Sequence, residues 1–116
     1  MRVHNIYADA DGVSHFRDIE IDWVETVRAS KRSKVYPVTG LVFRQNDGDY
    51  ALDWHPAPRR QFVVNLDAGV KITVGDGEVR TIEAGEVLLV EDLTGKGHIS
   101  DSLVKQIRHS LLIHCE

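Results

Sequence analysis

Polar and apolar positions alternate along short segments of this chain. In Gln61-Phe-Val-Val-Asn-Leu66 the even positions are all apolar, while the odd positions place two amides around Val63. Because successive strand side chains point to opposite faces, this pattern predicts a β-strand with one apolar and one mixed face. Buried polar groups need partners, so the mixed face is predicted to line a wet cavity or to meet solvent.

Similar segments recur at a spacing of roughly ten residues, which is typical of all-β sandwiches and barrels. Turn sequences separate them, such as Asn46-Asp47-Gly48 and Gly75-Asp76-Gly77. No helical period is sustained, and residues 29–34 are predicted to form a loop. The sequence therefore predicts about nine short strands, over residues 2–7, 19–24, 38–44, 50–55, 61–67, 70–74, 78–82, 87–90 and 106–115.

Composition narrows the class of protein. The 116 residues and 42% hydrophobic content predict a single domain covering residues 1–116. A net charge of −4 gives no reason to expect nucleic acid or an anionic membrane as a partner. The single cysteine, Cys115, excludes an internal disulfide. Without a signal peptide or a long apolar run, we expect a cytoplasmic protein.

Two histidines are the main candidates for chemistry. Imidazole titrates near neutrality and is a common metal ligand, and His98 follows a glycine-rich turn that we expect to return it to the cavity of His55. Asp53, two residues before His55, would point the same way. The alternative is that both imidazoles are only hydrogen-bonded, one in a loop and one at a strand end.

Several polar residues near the central strand are further candidates. Gln61 and Asn65 would orient a substrate, or satisfy each other across the sheet. If the alternation extends backwards, Arg59 shares the face of Gln61 and would clamp a carboxylate or phosphate; the alternative is a solvent-facing arginine. Glu91 and Asp92 would supply a general base at the cavity mouth, or form a solvated turn.

The aromatic residues and the other histidines are assigned structural roles. Trp23 is predicted to lie in the core or an interface, and Trp54 to face away from the neighbouring histidine. The remaining histidines lack partners at a suitable spacing, namely His4, His15, His109 and His114.

From about Thr39 to His98, the order of features resembles the cupin superfamily of small jelly-roll, or double-stranded β-helix, domains. The first cupin motif has two histidines two residues apart, then a glutamate, then a glycine seven residues further on. The second has a turn ending in glycine, an apolar strand and a histidine. The aligned residues are Asp53 and His55, Gln61, Ala68, Ala84-Gly85 and Gly97-His98.

The resemblance implies a divalent transition metal, which would be Fe, Mn, Ni or Zn. Its ligands here would be His55, His98, Gln61 and possibly Asp53. Cupins use three imidazoles and one carboxylate, so this chain departs from the family pattern. Because a neutral amide is a poorer ligand for transition metals, we expect weaker metal binding than in the standard set.

The expected function is a metal-dependent oxygenase, isomerase or lyase acting on a small polar or anionic molecule. His55, His98 and Arg59 would be catalytic, while Gln61, Asn65 and Arg59 would contact the substrate. The alternatives are a metal-free cupin that binds or isomerises a small molecule such as a sugar derivative, and a non-catalytic ligand-binding module. Since cupins commonly pair through their sheets, the resemblance also implies a homodimer.

Overall fold

The computed structural model describes residues 1–116 and contains twelve β-strands and no helix. The predicted all-β class is therefore confirmed. The strands are β1 (Arg2–Ala8), β2 (Ser14–Glu20), β3 (Glu25–Val27), β4 (Ser30–Arg32), β5 (Val38–Asn46), β6 (Ala51–His55), β7 (Gln61–Asn65), β8 (Val70–Thr73), β9 (Val79–Ile82), β10 (Val87–Glu91), β11 (His98–Ser102) and β12 (Arg108–Cys115).

Three sheets make up the fold, and none closes on itself. The six-stranded sheet has the order β2-β1-β10-β7-β12-β5, the four-stranded sheet has the order β6-β11-β8-β9, and β3 and β4 form a separate hairpin. The pair β1–β10 is parallel, and the other pairs are antiparallel. No helix with the length and apolar character needed to cross a membrane is present.

The hydrophobic core lies between the two larger sheets. Because each sheet has an apolar inner face, burying these faces against each other removes both from water. The six-stranded sheet contributes Ile6 and Leu88, for example, and the four-stranded sheet contributes Ile72 and Ile82, each at most 3% exposed. This packing holds the strands that carry the candidate site residues.

Strand β7 has the two faces that its alternation predicts. Gln61, Val63 and Asn65 are buried and line an internal cavity. Phe62 and Val64 are half-buried on the outer face, where the Phe62 ring meets Tyr36 edge to face at a centroid distance of 6.1 Å. Of the two environments predicted for the mixed face, a cavity or solvent, the structure shows the cavity.

The N-terminal third differs from the predicted pattern. The predicted loop at 29–34 contains β4, which pairs with β3 around Arg28 in a left-handed conformation with φ of 56°. Both strands are almost wholly exposed, so no apolar alternation marks them. Strand β2 ends at Glu20, so it overlaps the predicted strand at 19–24 by only two residues. Trp23 is 48% exposed, so of its two predicted places, the core or an interface, the core is wrong.

Strands β1 and β10 are tied together through Glu86, in the turn before β10. Its carboxylate accepts hydrogen bonds from His4 Nε2 at 2.9 Å, from Arg2 at 3.1 Å and from the Glu83 amide at 2.8 Å. The bond with His4, followed by those with the Glu83 amide and Arg2, lowers the pKa of Glu86 from 4.5 to about 2. The folded state therefore favours the ionised carboxylate.

We expect Glu86 to make stability depend on pH in the acid range. A folded-state pKa below the unfolded value contributes stability that is present above about pH 4.5 and is lost as the pH falls towards 2. Glu86→Gln should therefore be less stable than the wild type near neutral pH, and the difference should narrow across this window. Urea unfolding midpoints measured from neutral pH to about pH 2 test this.

Glu25→Gln, on the exposed hairpin, is the matched control for Glu86→Gln. Its stability difference from the wild type should stay nearly constant over the same range. A Glu86→Gln difference that is independent of pH would contradict the prediction.

Candidate functional site

A cavity of about 400 Å³ lies between the two larger sheets. Strands β5, β7, β10 and β12 line one side, and β6, β8 and β11 line the other. Four predicted site residues border it, namely His55, Gln61, Asn65 and His98. Its volume is in the range of small-molecule sites in proteins.

His55 and His98 meet because their strands pair. They are register partners on β6 and β11, and their ring centroids are 4.4 Å apart with the planes tilted by 56°. Gly97 allows this approach, since a Cβ atom there would lie within 1.8 Å of the His55 carbonyl oxygen. Its φ of 77° also favours glycine. The structure thus brings the two imidazoles together in one cavity.

His98 forms a buried pair with Asp92. His98 Nδ1 lies 2.6 Å from Asp92 Oδ2, and the two residues are 6% and 0% exposed. Nδ1 of His98 is therefore directed at the carboxylate. His55 is oriented in the same way, since its Nδ1 donates to the Asp53 carbonyl oxygen at 2.8 Å. In both imidazoles Nε2 is the nitrogen that makes no hydrogen bond within the protein.

Glu91 and Asp92 differ sharply although they are adjacent. Glu91 accepts hydrogen bonds from Arg60 and Arg17 on the outside. Asp92 is fully buried, so the solvated turn considered as its alternative is not formed. Its backbone oxygen accepts the Ala57 amide at 3.0 Å, which ties the segment before His98 to the cavity wall. The sequence offered both residues as bases but gave no sign that Asp92 pairs with His98.

Asp53 and Arg59 are not among the residues that line the cavity. Asp53 is exposed, and its Oδ1 accepts the backbone amide of Trp54 at 2.8 Å. Arg59 is also exposed and lies 3.3 Å from His114 Nδ1. Strand β7 begins at Gln61, so the alternation that would have placed Arg59 on the cavity face does not extend back to it.

The predicted metal ligands do not converge as a set. No group of three or more His, Cys, Asp or Glu side chains suited to a metal ion occurs in the structure. His55 and His98 meet, but the Asp53 carboxylate is used by the backbone, and Gln61 offers only an amide. Protein transition-metal sites are typically built from three or four imidazole, thiolate or carboxylate ligands. The residues present therefore do not fit the metal site that the resemblance implies.

Two arginines also line the cavity and were not selected from the sequence. Arg44 on β5 and Arg108 on β12 lie on the inner face of the six-stranded sheet. Burial lowers the pKa of Arg44. The pKa of Arg108 is also lowered, mainly by burial and to a smaller extent by the positive charge of Arg44. On β12, Arg108 and Leu112 line the cavity, and Ser110 lies buried between them on the same face. Applied to β12, the strand alternation used for β7 would have predicted Arg108 on the cavity face.

The buried hydroxyl of Ser110 lies behind this polar end of the cavity and is bonded to Asn65 in its wall. Ser110 Oγ donates to Asn65 Oδ1 at 2.7 Å, which leaves the Asn65 amide hydrogens free to donate. The side-chain oxygen of Asn65 is therefore bonded to Ser110 on β12, and no hydrogen bond joins Asn65 to Gln61, as the alternative interpretation had it.

Comparison with known proteins adds no assignment. No model of a known protein family matches the chain. No curated protein matches it significantly. The function is therefore inferred from the geometry of the cavity.

Proposed function

We propose that the protein is a metal-free isomerase of the cupin type, which shifts a proton within a small molecule bound between its sheets. The observation that carries the proposal is the buried His98–Asp92 pair beside His55 in the cavity. A carboxylate that fixes the tautomer of an imidazole and stabilises its cation is a recurrent arrangement for general-base catalysis.

The jelly-roll part of the proposal rests on strand order. In a jelly roll, the chain passes repeatedly between two facing sheets. Here β5, β7, β10 and β12 belong to one sheet, while β6, β8, β9 and β11 belong to the other. The order of turns and histidines that resembles cupins lies within this part of the chain.

In the proposed reaction, His98 is the base. Nε2 accepts a proton from a carbon or hydroxyl group of the substrate, and Asp92 stabilises the imidazolium that forms. The imidazolium returns the proton to a neighbouring atom, so one bond to hydrogen breaks, another forms, and nothing is oxidised overall. His55 Nε2 accepts a hydrogen bond from a substrate hydroxyl group. Gln61 and Asn65 supply further hydrogen bonds that orient the substrate.

Solvent deuterium exchange tests the proposal. Candidate sugars, hydroxy acids and keto acids that raise the melting temperature are incubated with the protein in D2O and followed by NMR. We expect deuterium to enter a carbon-bound position of at least one compound, at a rate that a chelator leaves unchanged. Compounds that bind but never exchange would overturn the proposed reaction.

The metal-dependent oxygenase, isomerase or lyase stays a prediction of the resemblance. Its support is weaker, because two imidazoles converge where cupins use four ligands. Metal analysis of untagged protein, followed by titration with Fe, Mn, Ni and Zn, distinguishes the metal-dependent reaction from the metal-free one. One tightly held ion per chain, with exchange activity that follows its occupancy, would favour the metal-dependent reaction.

We also propose that a second copy covers the outer face of the six-stranded sheet. Two apolar rows cross strands β5, β12 and β7 there, namely Phe43–Leu111–Val64 and Leu41–Ile113–Phe62. Phe43 is 77% exposed and Leu41 is 52% exposed, on an edge strand whose outer side is unpaired. Contiguous exposed apolar patches of this kind are typical of protein–protein contacts.

Phe43→Glu is expected to convert the dimer into a monomer, because a buried unpaired carboxylate in the contact costs several kcal/mol. The measurement is molar mass by light scattering after size exclusion, over a range of concentrations. Val35→Glu is the control, since Val35 is 91% exposed but precedes β5. A monomeric wild type, or a Phe43→Glu protein that still dimerises, would contradict this proposal.

A further inference from the structure

Arg44 and Arg108 are neighbours on the inner face of the six-stranded sheet. Arg44 is the register partner of Ser110, and Arg108 is the partner of Asn46. The two arginines are therefore diagonal positions of an antiparallel pair, whose Cα atoms are typically about 7–8 Å apart. Both line the cavity that contains His98.

Neither arginine has an acidic partner. The ion pairs that involve arginine all belong to other residues, namely Arg2, Arg17, Arg60 and Arg80. The carboxylate that acts on Arg108, that of Asp67, forms its ion pair with His109. The cavity thus holds two arginines, neither of which forms an ion pair within the protein.

The hydrogen bonds of the two guanidinium groups are also incomplete. Arg44 Nη2 lies 3.4 Å from Ser110 Oγ, and Arg108 Nη1 lies 3.3 Å from the Gly69 carbonyl oxygen, both of which are long contacts. The Nε atom of each arginine is buried without an acceptor, and so is Nδ2 of Asn46 beside them. These three groups are donors, so an acceptor beside the two arginines would satisfy them. The other buried groups without a partner are Ser102 Oγ and Asp92 Oδ1, and Asp92 pairs with His98.

A guanidinium group stays charged in proteins and matches a planar oxyanion through two parallel hydrogen bonds. Burying such a charge without a partner is costly, so an anion supplied by a ligand would relieve both the charge and the unmet donors. The free amide hydrogens of Asn65, fixed by Ser110, add another donor on the same sheet.

We propose that Arg44 and Arg108 form a subsite that binds the oxyanion of a small acid, a carboxylate or a phosphate. The inference rests on the proposed function, because it names the charge class of the molecule that His98 acts on. The ligand is held by its acid group at the β5–β12 side of the cavity. Its remaining part extends towards the two imidazoles.

The test compares benzoate, inorganic phosphate and the neutral isostere benzamide at low ionic strength, by calorimetry and by melting temperature. In the wild type, benzoate or phosphate is expected to bind at least about tenfold more tightly than benzamide. The preferred anion identifies the subsite as one for carboxylate or for phosphate. Equal binding of benzoate and benzamide, with no binding of phosphate, would overturn the proposal.

Substitutions then assign the binding to the two arginines. Arg44→Met and Arg108→Met are each expected to reduce affinity for the preferred anion at least about tenfold. Arg44→Lys keeps the positive charge but loses the two parallel donors of the guanidinium group, so it should reduce affinity less. Arg59→Met is the matched control and should leave affinity unchanged, because Arg59 lies outside the cavity. Anion binding that survives both methionine variants would overturn the subsite.

Two further readouts keep the outcomes distinct. Because Arg44→Met removes an unpaired charge, its melting temperature should equal or exceed that of the wild type, so a loss of binding is not a loss of folding. His98→Gln should bind the anion as the wild type does while losing proton exchange. A failure of the catalytic proposal alone therefore leaves anion binding intact, and a failure of the subsite leaves exchange of neutral compounds intact.

Discussion

Replacing His98 by glutamine is expected to slow solvent proton exchange by a factor of about 10²–10⁴, the usual contribution of a positioned general base. Glutamine has a comparable reach and can still hydrogen-bond to Asp92, but it cannot take up a proton. Affinity for the substrate should change little, because the imidazole is only one of several groups in the cavity. The measurement is the deuterium exchange rate, with substrate affinity determined separately.

Asp92→Asn extends this prediction from the base to its partner. With an amide in place of the carboxylate, neither the Nδ1–H tautomer nor the imidazolium is favoured, so the exchange rate should fall while affinity is retained. The exchange rate of Asp92→Asn should also depend on pH differently from that of the wild type, an effect that a purely structural role would not produce. His114→Gln is the control, because His114 lies outside the cavity lining. Undiminished exchange in His98→Gln would remove His98 as the base.

Gly97→Ala is expected to lower the free energy of unfolding by more than about 3 kcal/mol, a value reached when strain and a clash act together. The left-handed φ of 77° alone costs an alanine about 1–2 kcal/mol. In addition, its Cβ would lie 1.8 Å from the His55 carbonyl oxygen, so β11 and β6 would have to separate. The contact between His55 and His98 should be lost at the same time.

Two other glycines serve as controls that have the left-handed backbone strain of Gly97 without its steric clash. Gly77 and Gly85 have φ values of 94° and 86°, but a Cβ atom at either position would meet no atom within 4 Å. Gly77→Ala and Gly85→Ala should therefore cost only about 1–2 kcal/mol. Urea unfolding of the three variants measures the difference. If Gly97→Ala is no more costly than the other two, the close backbone approach does not limit stability.

Local patterns predicted much of the fold, because strand alternation depends on neighbouring residues alone. Strand β7 shows this best, since its alternation distinguished the mixed face, which lines the cavity, from the apolar face. Strand β11 is not among the predicted strands, because Ser100, Asp101 and Ser102 interrupt its apolar pattern. It is a strand because β6 and β8 pair with it on both sides. Such pairing is decided by distant parts of the chain.

The residues of the candidate site were likewise predictable where local patterns mark them, and not where distant parts of the chain bring them together. Gln61 and Asn65 were found from one strand, and His55 and His98 from their turns and from the cupin resemblance. The meeting of Arg44 with Arg108 depends on the register between β5 and β12, and that of Asp92 with His98 on the path of the intervening loop. Neither arrangement leaves a periodic signal in the sequence.

Strand β12 turns Arg108 and Leu112 towards the cavity, and Leu111 and Ile113 towards the opposite surface. If both proposals hold, one pleated backbone would serve two binding events, a small acid on one side and a second copy on the other. If docking of either steadies this backbone, each event must favour the other by the same factor, since thermodynamic coupling is reciprocal. Ligand affinity would then rise with protein concentration, and the fraction of protein in the dimer would rise with ligand concentration.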